Sequence, residues 1–172
     1  MSDTVDIDGQ RLTVPQGWWV WRYDDSSFHR NQFQSLAGGS KAMDAVAWSD
    51  KGILWLIELK DYRRHRRVKP SSVFAEVASK ARTTLAGLAT AQVRANDPSE
   101  KSRAQQTMRC TDIRVALQIA QPVKPSRLFP QVVNPQDAQL LLRKQVRAID
   151  PHPICHVGAS GPHGLPWTTV DL

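Results

Sequence analysis

The segment Ile53–Leu54–Trp55–Leu56–Ile57 constrains this chain more than any other. It is apolar throughout, with the turn residues Ser49–Asp50–Lys51–Gly52 in front and Glu58–Leu59–Lys60 behind. A short, unbroken apolar run between such boundaries reads as a strand buried on both faces. Met43 to Trp48 precedes the turn, and Gly52 suits a left-handed backbone, so the two runs are expected to form a hairpin.

The flanking sequence supplies the other layers. Arg11–Val14 and Trp18–Trp21 read as strands by their aromatic and β-branched content. Ser26 or Ser27 is placed to cap a short helix through Phe28 and Phe33, and Gly38–Gly39–Ser40 is a turn. After Pro70–Ser71, the residues Val73, Phe74, Val77, Ala78, Ala81, Leu85 and Leu88 recur at helical spacing, until Asn96–Asp97–Pro98 stops them. Residues 99–110 are polar and basic, and read as a loop or short helix. Ile113, Val115, Leu117 and Ile119 alternate with Arg114 and Gln118, as in a half-buried strand. Asn134–Pro135 is an N-cap with proline in the first turn of a helix that runs to Ile149. Ile154–Val157 is a last strand. The order predicts one α/β domain over 1–172, with a mixed central β-sheet flanked by helices. Its core is expected over about 18–158, with an irregular tail at 159–172.

The 172 residues suit a single core. No apolar run approaches bilayer length. Met1 to Gln10 is polar and acidic, unlike a secretory signal, so a cytoplasmic protein is expected. Cys110 and Cys155 are far apart and imply no disulfide framework. The formal charge of +7 favours polyanionic partners.

The hairpin carries the chemistry. It would put Asp44 at the start of one strand and Glu58 and Lys60 at the end of the next. Glu58 and Lys60 are two apart and leave the same face, while Leu59 points to the other. Charges beside so apolar a segment must be paired or hold a metal. Two carboxylates on adjacent strands suit Mg²⁺ or Mn²⁺, which prefer oxygen ligands. A metal there acts as a Lewis acid on a phosphate oxygen, and Lys60 would orient water and offset developing charge. The alternative is a solvated strand end with an aspartate in a turn.

Asp44 followed across a hairpin by Ile57–Glu58–Leu59–Lys60 resembles the PD-(D/E)xK nuclease superfamily. The segment from Asp44 to Tyr62 is most similar to nuclease-related and Holliday-resolvase-like members. The resemblance implies a restriction-endonuclease-like fold, Asp44 and Glu58 as metal ligands with the Leu59 carbonyl as a third, and Lys60 as the catalytic lysine. Met43 stands where the family often has proline. Many members also carry a glutamate on an N-terminal helix, and no Glu precedes Glu58 here; Asp24, Asp25 and Glu76 are the acids available for that part.

Arg63, Arg64, Arg66, Arg67 and Lys69 follow directly and are expected to grip phosphates. Lys80, Arg82, Lys101, Arg103 and Arg109 would widen the track. Trp18, Trp19 and Trp21 are weighed as stacking platforms but read better as core or oligomer contacts. His152, Cys155, His156 and His163 match no common zinc spacing. No glycine-rich phosphate loop followed by lysine occurs. The expectation is a Mg²⁺- or Mn²⁺-dependent endonuclease acting on DNA rather than RNA, with a homodimer plausible and no membrane partner. Nucleic-acid binding without cleavage is the second reading, and a purely structural ionic cluster the third.

Overall fold

The computed structural model describes residues 2–63, 66–69, 71–158 and 164–172. In chain order its main elements are β1 (Thr4–Ile7), β2 (Gln10–Thr13), β3 (Trp19–Trp21), β4 (Ala45–Trp48), β5 (Ile53–Asp61), α1 (Val73–Arg94), α2 (Pro98–Thr107), β6 (Asp112–Ala120), α3 (Pro135–Val146), β7 (Ile154–Val157) and β8 (Thr168–Asp171). A π-helical turn, His29–Phe33, and a 3₁₀ turn, Leu36–Gly38, lie between β3 and β4.

The protein is mixed α/β. Five strands form the central sheet in the order β3-β4-β5-β6-β7. β3, β4 and β5 are antiparallel neighbours, while β5, β6 and β7 run parallel. β5 is central, and Leu54 to Leu59 are all buried, as the apolar run requires. Gly52 has φ +73° and closes the hairpin turn, donating its N–H to the Ser49 carbonyl.

The helices pack on one face of this sheet. Val46, Leu54, Leu56, Val115, Leu117 and Ile119 meet Phe74, Val77, Ala81 and Leu88 of α1 and Ala138, Leu142 and Val146 of α3. The other face is covered by a small antiparallel sheet, β1-β2-β8, built from both ends of the chain. Here Ile7, Leu12 and Trp167 pack on Ala45, Trp55, Ile57 and Leu59. Trp55 meets Trp167 edge-on at 5.3 Å and stacks with Trp18 at 6.2 Å. The segment expected to be an irregular tail therefore contributes β8 and a buried tryptophan. A four-residue strand that pairs with the opposite end of the chain leaves no local signal, which is why sequence periodicity missed it. The tryptophans pack rather than stack outward: Trp21 is buried, and Trp19 bonds Gln106 through its indole N–H.

Each helix starts where its capping chemistry dictates. Ser72, Asp97 and Asn134 accept N–H bonds from Phe74, Ser99 and Gln136 at the first turns of α1, α2 and α3. The polar 99–110 stretch is mainly α2, not a loop. Its Glu100 accepts from Ser27 N and Phe28 N at 2.7 and 2.9 Å, capping the turn ahead of His29. Among the described residues, no helix is long and apolar enough to cross a membrane.

Candidate active site

The register Ala45↔Ile57 puts Asp44, one step before β4, level with Glu58 on β5. Asp44, Glu58 and Lys60 share the helix-facing side of the sheet with Val46 and Leu56. The sequence-predicted trio is therefore brought together, under α1.

Two backbone bonds fix Asp44. Met43 N–H donates to Thr84 Oγ1 of α1 at 2.9 Å, and Tyr23 N–H donates to the Asp44 carbonyl at 3.1 Å. The Asp44 carboxylate itself accepts the Leu59 N–H through Oδ2 at 2.9 Å. A strand residue's N–H and C=O lie along the same edge. The Leu59 carbonyl therefore faces that edge too, beyond the end of β4.

Glu58 is fully buried, and Lys60 Nζ contacts its Oε1. A residue that sequence reasoning assigned only to an outer track is central here. Lys80 of α1 places Nζ 2.5 Å from Glu58 Oε1 and 3.3 Å from Asp44 Oδ1. The signal for Lys80 was its place two turns into the helix that follows β5, with no pattern to mark which face it used. Among the described residues, Glu58 Oε2 is buried without a hydrogen-bond partner.

The electrostatics follow from this crowding. Burial, then the charge of Asp44, pushes the Glu58 carboxyl above its ordinary range, against the pull of Lys80 and Lys60. Burial pulls Lys60 down, but Glu58 and Asp44 outweigh it and hold the ammonium above its usual value. Asp24 is also raised, by burial first and then by Asp44, and its charge feels Lys80. Of the three acids available for an upstream role, Asp24 is the one electrostatically joined to this centre. Asp25 is paired with Arg30, and Glu76 with Arg67 and Lys69.

Among the described residues, no group of three or more His, Cys, Asp or Glu side chains is arranged to hold a metal. The carboxylates are a pair, and the Leu59 carbonyl is the third oxygen that the resemblance implies. That set fits a hard cation that keeps several of its waters, such as Mg²⁺. Among the described residues, the unpartnered buried Glu58 Oε2 favours the fit, whereas the Lys80 ammonium already bridges both carboxylates and would have to leave for a metal to bind.

The basic segment after β5 is less free than its sequence suggests. Arg63 pairs with both Asp61 and Asp171, so it ties β8 to the end of β5. Arg67 bonds the Tyr62 hydroxyl, the Ser71 carbonyl and Glu76, and Lys69 pairs with Glu76. Burial opposes ionisation of Glu76, but Lys69 and Arg67 outweigh it and bring its pKa down to about 2. Three of the five expected phosphate-binding cations are thus matched by carboxylates. Arg66 is exposed, and Arg64 lies outside the described residues, as does His163. Cys110 and Cys155 are unpaired, and burial pushes the Cys155 thiol up to about 12.

An open cleft of about 610 Å³ lies between the 36–41 segment and α1, and it meets the centre through Lys80 rather than through the carboxylates. Lys80 lines it together with Lys41, Glu76, Ser79 and Arg82.

No family model and no solved structure matches this chain. It is similar to the cysteine–tRNA ligase of Neisseria meningitidis serogroup A, with 32% identity over 157 residues. That match takes in 72% of this chain but 22% of the ligase, so the chain spans about a fifth of the length of this curated relative.

Proposed function

We propose that this protein is a divalent-metal-dependent phosphodiesterase acting on nucleic acid, with Asp44 and Glu58 as the metal-holding carboxylates. One observation carries the reading. Two carboxylates from adjacent strands and two lysines meet at a buried centre, and one of those lysines, Lys80, also lines an open cleft. The arrangement agrees with what the PD-(D/E)xK resemblance implies for Asp44, Glu58, Leu59 and Lys60.

A Mg²⁺ or Mn²⁺ ion bound there supplies a Lewis acid and a water of lowered pKa. The remaining work falls to the chain. Asp44 is oriented by the Leu59 N–H, and Glu58 by its strand and by Lys60. Lys60, held charged by its carboxylate neighbours, offsets negative charge that builds on a phosphate in the transition state. Lys80 must release both carboxylates for a metal to take its position, and the adjoining cleft gives its side chain room. A cytoplasmic setting fits the two unpaired cysteines, and a homodimer would present two such centres.

A second reading, nucleic-acid binding without cleavage, is favoured by Lys80 itself, which satisfies the carboxylates without a metal. Because the relative's name concerns tRNA, RNA belongs beside DNA as a substrate. The test is to incubate the protein with supercoiled DNA, linear DNA and tRNA in Mn²⁺ or Mg²⁺, beside EDTA, Glu58→Ala and Lys60→Ala. Metal-dependent cleavage that disappears in both variants is expected. Salt-sensitive binding with no cleavage in any arm would replace the enzyme with a binding module.

A further inference from the structure

The cleft at Lys80 has neighbours along the helical layer. Ser79 and Arg82 also line a depression of about 400 Å³ in the seam between α1 and the end of α3, with Gln145, Ala148 and Ile149. Ala148 in turn lines a third depression, of about 640 Å³, walled by Leu140, Arg143, Lys144 and Arg147. Shared wall residues therefore place the three depressions side by side across the helical layer, a path beginning beside Lys80.

The path is basic along its length. Lys41, Arg82, Arg143, Lys144 and Arg147 are all exposed. None of them pairs with a carboxylate among the described residues. Among the described residues, the only acid on its walls is Glu76, which Arg67 and Lys69 already match. On α3 the spacing is helical: Leu140, Arg143, Lys144 and Arg147 fall at i, i+3, i+4 and i+7, so they share one face. The opposite face buries Ala138, Leu142 and Val146. This row is aligned by the same periodicity that anchors the helix.

We propose that this α1–α3 path, rather than the Arg63–Lys69 segment, binds the sugar–phosphate backbone of a polynucleotide and leads it to the carboxylate centre. Unpaired cations spaced along an open groove suit a repeating anion and read no base, so the binding is sequence-independent. The proposal deepens the phosphodiesterase reading and rests on it for what happens at the end of the path. Binding along the path is measurable without cleavage.

The experiment measures fluorescence anisotropy of labelled single-stranded and duplex DNA and RNA, in EDTA, across a salt series. Arg143→Glu/Arg147→Glu is compared with Lys51→Glu/Arg94→Glu. The control makes the same change in net charge at two exposed sites away from the path, the hairpin turn before β5 and the last turn of α1. Arg82→Glu is a second variant in case the α3 pair lowers stability. The path variants are expected to weaken binding by about 10-fold or more. They should also flatten the salt slope by about 0.7–0.9 for each phosphate that is no longer neutralised. The control should stay within about threefold. Equal weakening in path and control variants would overturn the proposal. So would unchanged binding in both path variants, or an effect confined to anionic phosphatidylserine vesicles run in parallel. Intact binding by the path with no metal-dependent cleavage would instead sink the phosphodiesterase reading alone.

Discussion

Lys80 Nζ lies 2.5 Å from Glu58 Oε1 and 3.3 Å from Asp44 Oδ1, so an ammonium from α1 bridges two carboxylates from neighbouring strands. Removing that ammonium should open the position to a metal. Lys80→Met is expected to bind Mn²⁺ on the order of 10-fold more tightly, about 1.4 kcal/mol, by isothermal titration calorimetry. Metal-free stability should fall by about 1–3 kcal/mol. That is less than the cost of fully orphaning a buried charge, because Lys60 stays on Glu58. Equal or weaker Mn²⁺ binding would mean that Lys80 and the metal do not compete.

Thr84 sets the position of the aspartate. It is fully buried on α1 and accepts the Met43 N–H. Thr84→Val keeps the shape but leaves that N–H unsatisfied, at a cost of about 1–3 kcal/mol. Urea unfolding should register the loss. Mn²⁺ affinity should fall as well, because Met43 directly precedes Asp44. A stability loss with unchanged metal affinity would confine Thr84 to packing.

Gly87 is where Tyr23 crosses α1. A Cβ there would lie 2.2 Å from Tyr23 Oη and 3.3 Å from Cζ. Gly→Ala in a helix ordinarily stabilises by about 1 kcal/mol. Here it should destabilise by about 1–3 kcal/mol through overpacking. Adding Tyr23→Phe removes the clashing oxygen, whose hydroxyl has no hydrogen-bond partner among the described residues. The double variant should therefore recover part of the loss in a thermal melt, and additive losses would point elsewhere.

Glu76 should shape the acid limb of stability. Its folded pKa, about 2, lies below the ordinary 4.5. The unfolded chain therefore takes up the proton first as pH falls. The contribution is full above about pH 4.5 and is lost between there and about pH 2. Glu76→Gln should show a shallower loss of stability across that window than the parent in urea melts. Identical slopes would mean that the Arg67 and Lys69 pairs contribute nothing to folding.

Local patterns made much of this molecule legible. The unbroken apolar run between turn residues read as a strand with two covered faces, and β5 is the central strand. The hairpin spacing then put Asp44 level with Glu58, and alternation put Lys60 on the same side. Pro70–Ser71 and Asn134–Pro135 marked the starts of α1 and α3 because capping is chemistry within a few residues, whereas Asp97, which caps α2, read only as a stop to the preceding helix. Tertiary structure decided the rest. Lys80 reads in sequence as one more cation on a charged helix; only the packing of α1 over the strand ends turns it onto Glu58 and Asp44. Arg63 and Lys69 read as free charges until Asp171 and Glu76 are folded against them. The strand at Thr168–Asp171 exists only because β2 offers it an edge. Periodicity records which face of an element is apolar, whereas the identity of what meets that face depends on chain segments brought together across the whole fold.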